Sequence, residues 1–454
     1  MRKTTYALAL MTAAVLAACG GSSTSPRGGD QTPKTQFSGQ VSFGDSLSDV
    51  GSYNVGAVAA LKGGKFTING NNTSINPELT GKNWTEYVAA QLNLPAPCAA
   101  QTGLEGDASK GFNVPVTRNA NCFNYAQGGA RVTNPVGPNN KLLNPTLGLT
   151  TVPVVTQIAN HLAKTGGKFS GTELVTVMAG GNDILFLLGD LSTKATAAGT
   201  AAGNTAFATS LVSQLAAGAT NPQTAAQSIG LAVQTEAARS GSTPQTIVQA
   251  GVVAAVQAGN TGAPSQASAI AATAQAAATT AGAKAGADYA AANGPAIVQA
   301  MGTAGAELAN LVKTQIVAKG ASYVLVNNLP DVASTPAGKS KSEAIQGLIK
   351  TAVDTFNTQL KNGVASEAKV LYVDLWSVSH DQVTNPGPYG LTNTSTPACG
   401  NNALAASSLV CNASNVISGD VSHYMFADEV HPTPFENALV ARYVLLQMSG
   451  KGWL

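Results

Sequence analysis

The sequence predicts an α/β fold in which a parallel sheet lies between layers of helices, interrupted by a helical insertion. Three observations predict it. Five short runs are apolar and rich in β-branched or aromatic residues, amphipathic helical patterns fall between them, and residues 191–293 depart in composition from the rest of the chain. Strands covered on both faces need near-continuous apolar runs rather than alternation, and strands that alternate with helices assemble into parallel sheets.

The five runs are residues 40–43, 122–126, 174–178, 323–327 and 370–374. Residues 83–92 form one amphipathic pattern. Residues 154–164 form another, with Val154, Ile158 and Leu162 spaced by four. Near the end, Thr433-Pro434-Phe435-Glu436 combines a capping Thr, Pro at the first helical position and a following Glu, the pattern of a capping box. The helix it opens runs through Ala438, Leu439 and Val440 to about Met448 and ends near Gly450.

From 191 to 293 the chain is rich in Ala, Gly, Thr and Gln, without Trp or Cys. Asn221-Pro222, Thr243-Pro244 and Ala263-Pro264 each open a helix by their Pro. Asn293-Gly294-Pro295 predicts a further start, with Ile297, Met301, Ala304, Leu308 and Leu311 along one face and Gly320 closing it. We expect 191–293 to interrupt one domain at 39–450, either as a substrate-facing lid or as an Ala-rich decoration.

Composition narrows the function. Only 11% of the 454 residues are charged, the net charge is +2, and no dense run of Lys and Arg occurs, so nothing points to nucleic acid. Arg2 and Lys3 precede an apolar run at 6–18 that is too short for a membrane-spanning helix of ~20 residues. The run ends in Leu16-Ala17-Ala18-Cys19-Gly20, which resembles a bacterial lipoprotein signal. That resemblance implies a signal peptide over 1–19, lipid on Cys19, and a flexible Gly/Ser/Thr/Pro-rich tether over 20–38. Gly20 after the Cys, by the sorting rule of such proteins, implies the outer membrane. An ordinary secretory peptide is the alternative.

With Cys19 set aside, Cys98, Cys122, Cys399 and Cys411 remain. An even remainder in an exported chain points to two disulfides, and four cysteines allow three pairings. Cys98–Cys122 with Cys399–Cys411 closes the shortest loops. Zinc is the competing use, but the chain has no Cys-x-x-Cys pair.

The chemistry collects at strand ends, where the active groups of such sheets lie. The first strand runs into Phe43-Gly44-Asp45-Ser46-Leu47-Ser48-Asp49, placing Ser46 at a strand-to-helix turn. A Ser hydroxyl is a weak nucleophile until a base is brought to it. The second run ends in Gln127-Gly128-Gly129-Ala130-Arg131, and paired glycines let a backbone N–H approach a developing oxyanion. The third ends in Gly180-Gly181-Asn182-Asp183, whose Asn carries a neutral donor. Asp428-Glu429-Val430-His431 puts a carboxylate three residues before an imidazole, close enough to orient the ring. Each string alone also reads as a turn or a helix cap. Of the other histidines, His161 reads as a solvated residue on its helix. His380 and His423 have no evident partner, with His423 a candidate for the site edge.

Together and in this order, these strings resemble the GDSL lipase/esterase family of the SGNH hydrolases, whose Ser, Gly, Asn and His match Ser46, Gly129, Asn182 and His431. Gly128 is the alternative glycine, and the offset from Asn124 favours Gly129. Trp84 to Pro95, Val326-Asn327-Asn328-Leu329-Pro330, Phe356-Asn357-Thr358-Gln359-Leu360 and Phe426-Ala427-Asp428 extend the likeness over roughly 41–189 and 304–448. It leaves the Ala-rich insertion unmatched. The resemblance implies a three-layer α/β/α sandwich with a five-stranded, mostly parallel, flavodoxin-like sheet. It implies a serine ester hydrolase with a Ser46–His431–Asp428 triad and an oxyanion hole from Ser46, Gly129 and Asn182. An ester or lipid substrate is implied, with no metal and no organic cofactor. An α/β-hydrolase is disfavoured, since the chain has no Gly-x-Ser-x-Gly elbow. A phospholipase or lipid acyltransferase of the same family is the alternative activity, and a non-catalytic surface lipoprotein the alternative class.

Overall fold

The structure is a computed structural model and describes residues 35–74 and 76–454. The signal peptide, Cys19 and the tether up to residue 34 lie outside the described residues.

In chain order the strands are β1 (Gln40–Gly44), β2 (Gln101–Glu105), β3 (Asn113–Arg118), β4 (Leu174–Met178), β5 (Tyr323–Asn327) and β6 (Val370–Val373). The helices are α1 (Gly56–Ala60), α2 (Trp84–Gln91), α3 (Val154–Lys164), α4 (Gly181–Ala217), α5 (Pro222–Ala237), α6 (Pro244–Gln257), α7 (Ala263–Leu311), α8 (Pro336–Lys339), α9 (Glu343–Val364), α10 (Leu375–Thr384) and α11 (Pro434–Gly450). No helix among the described residues is long and apolar enough to cross a membrane.

The central sheet is parallel, in the order β1-β4-β5-β6. The sheet has four strands, not the expected five. Residues 122–126 lie beside β1, where Ser42 N–H donates to Phe123 O and Tyr125 N–H to Ser42 O, but they form only an isolated parallel bridge at Ser42 and Asn124. The segment is paired on both edges, but each pairing, at Ser42 and at Ala99, is only one bridge long. Asn124 turns its backbone the other way, accepting from Ala100 N–H and donating to Cys98 O, beside a Cys98–Cys122 disulfide. The antiparallel pair β2–β3 was not legible beforehand; much of β3 is exposed and carries no apolar run.

Strand pleating sends alternate residues to opposite faces, and both faces are covered. On one, Leu174, Met178, Leu325, Leu371 and Val373 pack with Trp84 and Val88 of α2 and with Ala441, Val444 and Met448 of α11. On the other, Phe43 meets His161 of α3 edge-on. Burying each large apolar side chain contributes about 1.5–3 kcal/mol. The α2 start is fixed locally: Asn83 caps Thr85 and Glu86 N–H groups, and Glu86 returns a bond to Asn83 N–H. At α11 the box is only half formed. Thr433 Oγ1 accepts from Glu436 N–H, but Thr433 N–H donates to Met425 O and the Glu436 side chain is buried instead.

Chain contacts divide the molecule into two compact units, one made of residues up to Phe186 with Val298–Leu454, the other of Leu187–Ile297. The second has its own core of Leu211, Leu215, Ile229, Val233, Ala255 and Ala274. Its helices start where Pro and a cap coincide: Asn221 accepts from Thr224 N–H, and Thr243 exchanges bonds with Thr246. The start expected at Asn293-Gly294-Pro295 is absent, because α7 passes through Pro295 without a break. An internal Pro costs ~3 kcal/mol. Burial of Ile297, Met301, Ala304 and Leu308 on the following turns offsets it.

Candidate active site

Gly44 ends β1 against the backbone of β4. A Cβ there would meet Met178 O at 2.2 Å, so no other residue fits. Gln157 of α3 clamps the same residue, accepting from Gly44 N–H at 2.9 Å and donating to Gly44 O at 2.8 Å. Beyond it Asp45 folds the chain into a tight turn, its carboxylate accepting from Leu47 N–H and its carbonyl from Ser48 N–H. Burial pushes the Asp45 carboxyl up to about 7, opposed by the Leu47 N–H and the nearby His431. Ser46 sits at the head of this turn.

Asp428 and His431 occupy the loop before α11, where Ala427 N–H donates to His431 O. His431 Nδ1 lies 2.8 Å from Asp428 Oδ1 and 2.9 Å from Oδ2. Its Nε2 lies 2.9 Å from Ser46 Oγ. Phe66 packs on the ring at 5.0 Å between centroids. Burial alone would raise the Asp428 carboxyl; the His431 ring and the bonds it accepts hold it below the ordinary carboxylate range. The three groups thus stand in a line that can pass a proton from hydroxyl to imidazole while the carboxylate fixes the ring.

The donors around Ser46 separate cleanly. Gly128 N–H is already spent on Asp49 Oδ2 at 2.9 Å, and Gly128 O accepts from Tyr53 O–H at 2.8 Å. Gly129 N–H and Ser46 N–H have no acceptor among the described residues. Gly129 holds φ at 79°, and a Cβ would meet Thr151 Cγ2 at 2.5 Å and Pro138 O at 2.6 Å. Asn182, in the first turn of α4, donates one Nδ2 proton to Ala130 O at 2.9 Å and keeps the second. Next to it Asp183 binds Arg131 Nε at 2.9 Å and Val132 N–H at 3.1 Å, tying the glycine segment to α4.

Several groups here were missed by sequence reasoning: the side chains of Asp49, Tyr53, Phe66, Gln157, Arg131 and Asp183, and the Ser408 amide, which donates to Asp428 Oδ2 at 2.9 Å. Asp49 and Asp183 stood inside strings already singled out; Phe66 and Ser408 carried no signal. The structure joins Cys98 to Cys122 and Cys399 to Cys411. His161 is a correction. It is 1% exposed, not solvated, with its ring among Phe43, Tyr125 and Phe169 and neither nitrogen hydrogen-bonded. Burial pushes its pKa down to about 4, so it stays neutral, an apolar filler facing the sheet. His380 pairs with Asp331 at 2.7 Å and stacks on Trp376. His423 pairs with Glu78, donates from Nδ1 to Gly390 O, and stacks on Phe435; neither ring hydrogen-bonds the Ser46–His431–Asp428 group.

Comparison with known proteins bears on the family. The chain is 26% identical over 144 residues to GDSL esterase/lipase APG of Arabidopsis thaliana, covering 29% of this chain and 41% of that one. A second GDSL esterase/lipase of the same plant is 36% identical over 81 residues, 18% of this chain and 22% of its own length. The chain thus spans well under half the length of these relatives. The family model for GDSL-like lipase/acylhydrolase matches residues 185–444, more than half the chain and the part that carries Asp428 and His431. With a Ser-His-Asp line at the carboxyl ends of a parallel sheet and a family match of that extent, the chain belongs to the GDSL lipase/acylhydrolase family.

Proposed function

We propose that the protein is a serine hydrolase of carboxylic esters. The observation that carries the reading is the placement of His431 Nε2 at 2.9 Å from Ser46 Oγ while Nδ1 is held by Asp428. His431 takes the Ser46 proton as Oγ attacks the ester carbonyl carbon. The tetrahedral oxyanion is met by Ser46 N–H, Gly129 N–H and the free Asn182 Nδ2 proton. His431 then returns the proton to the leaving alkoxide, and water, deprotonated by the same ring, releases the acid from the acyl-enzyme.

Residues 39–450 are the hydrolase domain, interrupted at 191–293, and the first 19 residues direct export. Lipid on Cys19 anchors the protein at the outer membrane of a Gram-negative cell, where an ester or lipid substrate is reached from the bilayer surface. Mass spectrometry of the N-terminal peptide checks this: unmodified Cys19 in membrane-extracted protein refutes the anchor.

The test of the chemistry is covalent. A fluorophosphonate labels Ser46 in the wild type. Ser46→Ala abolishes both labelling and hydrolysis of p-nitrophenyl esters, with a melting temperature close to wild type. Labelling elsewhere, or turnover surviving in Ser46→Ala, refutes the reading. A panel of short esters, long-chain esters and phospholipids, each with and without an acyl acceptor, separates esterase from phospholipase and acyltransferase.

A further inference from the structure

Asp428 is held by more than the imidazole. Its Oδ1 accepts from Val430 and His431 N–H groups of its own loop, at 3.0 and 2.9 Å. Its Oδ2 accepts from a distant amide, Ser408 N–H, at 2.9 Å. Ser408 opens a single 3₁₀ turn, Ser408–Val410, that ends at Cys411. Cys411 is cross-linked to Cys399, and Cys399 N–H donates to Ala427 O at 2.8 Å while Ala398 N–H donates to Phe426 O at 2.9 Å. One end of the cross-linked loop therefore grips the backbone immediately before Asp428, and the other presents an amide to its carboxylate.

The same loop is bonded to the segment that packs on the imidazole. Asn69 N–H donates to Cys411 O at 2.7 Å, and Asn69 Nδ2 lies 3.0 Å from the carbonyls of both Ser408 and Cys411. Three residues before Asn69, Phe66 packs on the His431 ring. Thr67 Oγ1 donates to Pro432 O at 2.9 Å.

We propose that the Cys399–Cys411 loop is the positioning element of the Asp428–His431 pair, acting through the Ser408 amide, and that opening its disulfide detunes the pair. The inference rests on the triad reading above. Opening the bond requires a dithiol, which gives up two electrons and two protons and closes its own disulfide as Cys399 and Cys411 become thiols. The freed loop then holds the amide less firmly, and the carboxylate's support from outside its own loop weakens.

Ser408→Pro tests the amide. Ser407 holds φ −61° and ψ 135°, which a residue before Pro adopts, and the first position of a turn accepts Pro. The variant loses the donor and sets a ring carbon where the carboxylate lies. We expect kcat to fall about 10- to 100-fold with KM within about twofold, as for displacement of a catalytic group by ~1 Å. The loss falls on kcat and not on KM, because the amide touches the carboxylate and not the bound substrate. Ser408→Ala, the conservative comparison, keeps the amide and loses a hydroxyl that has no partner among the described residues; it recovers most of the kcat that Ser408→Pro loses. A folded Ser408→Pro protein with wild-type kcat, or one whose loss falls on KM alone, overturns the proposal. So does Ser408→Ala failing as badly as Ser408→Pro.

If Ser408→Pro does not fold, dithiothreitol reduction of a Cys98→Ala, Cys122→Ala protein asks the same question, with Cys399 and Cys411 thiols counted by alkylation and mass spectrometry. A fall in kcat that tracks the thiol fraction supports the proposal; full kcat at complete reduction overturns it. Oxidised wild type that neither hydrolyses esters nor labels at Ser46 defeats the proposed function instead, so the two failures are distinct.

Discussion

Replacing Asn182 by Ala isolates one donor of the proposed oxyanion hole. The Nδ2 group carries two protons, and one is committed to Ala130 O at 2.9 Å. Two losses follow, and they report in different assays. The free proton is the one available to the oxyanion; removing a single such donor costs about 10²–10³ in kcat, or about 2.7–4 kcal/mol of transition-state stabilisation. The proton on Ala130 O belongs to the ground state, and its loss costs about 1 kcal/mol of stability. Asp183 still ties the segment to α4 through Arg131 and Val132, so the glycine donor keeps its place and the variant stays folded. Initial rates on p-nitrophenyl acetate over a range of concentrations give kcat and KM, and a thermal melt gives the stability change. A folded Asn182→Ala protein with kcat within threefold of wild type would refute the assignment of Asn182 to the oxyanion, and a rise in KM alone would reassign it to substrate binding.

Two further predictions concern buried titrating groups. Burial pushes the Glu436 carboxyl up to about 8, so the folded state holds a proton that the unfolded state has released above its ordinary value of 4.5. Stability therefore falls as pH rises from about 4.5 to about 8 and levels off beyond it; Glu436→Gln melts several degrees above wild type at alkaline pH and close to it at pH 5, and parallel melting curves at the two pH values would count against this. His161 has the opposite sign: its pKa is pushed down to about 4, so the unfolded state takes up a proton that the folded one refuses. Its contribution is full above about 6.5 and is lost as pH falls toward 4; His161→Phe flattens that acid loss in stability-versus-pH measurements, and an unchanged slope would refute it.

How far the sequence could be read depended on whether a residue's role was local. Ser46, Asn182 and the Asp428–His431 spacing each sit in a short string whose geometry follows from a strand end or a three-residue offset. Residues 174–178 and 323–327, buried on both faces, announced themselves by unbroken apolar character. What stayed hidden was set by partners distant in the chain. Residues 122–126 have strand-like composition, yet Asn124 is claimed by residues 98–100 as well as by β1. His161 follows a polar helical spacing, but four aromatic rings from three separate segments close around it. Ser408 contributes a backbone amide, which no side-chain pattern can encode. Pro295 read as a helix start because a Pro at that place is a start signal by itself, whereas packing on the next turns carries α7 through it.

The contact between Ser46 and His431 bridges 385 positions of chain. At a synthesis rate of ~5–20 residues per second, roughly 20–80 s separate the appearance of the hydroxyl from that of the imidazole. A ribosome-bound chain therefore carries its nucleophile early and without a base beside it. On the proposed chemistry cleaving power arrives late, when the last strand and the helix that follows the His431 loop have docked, so a partly made or clipped molecule is inert toward esters rather than weakly active.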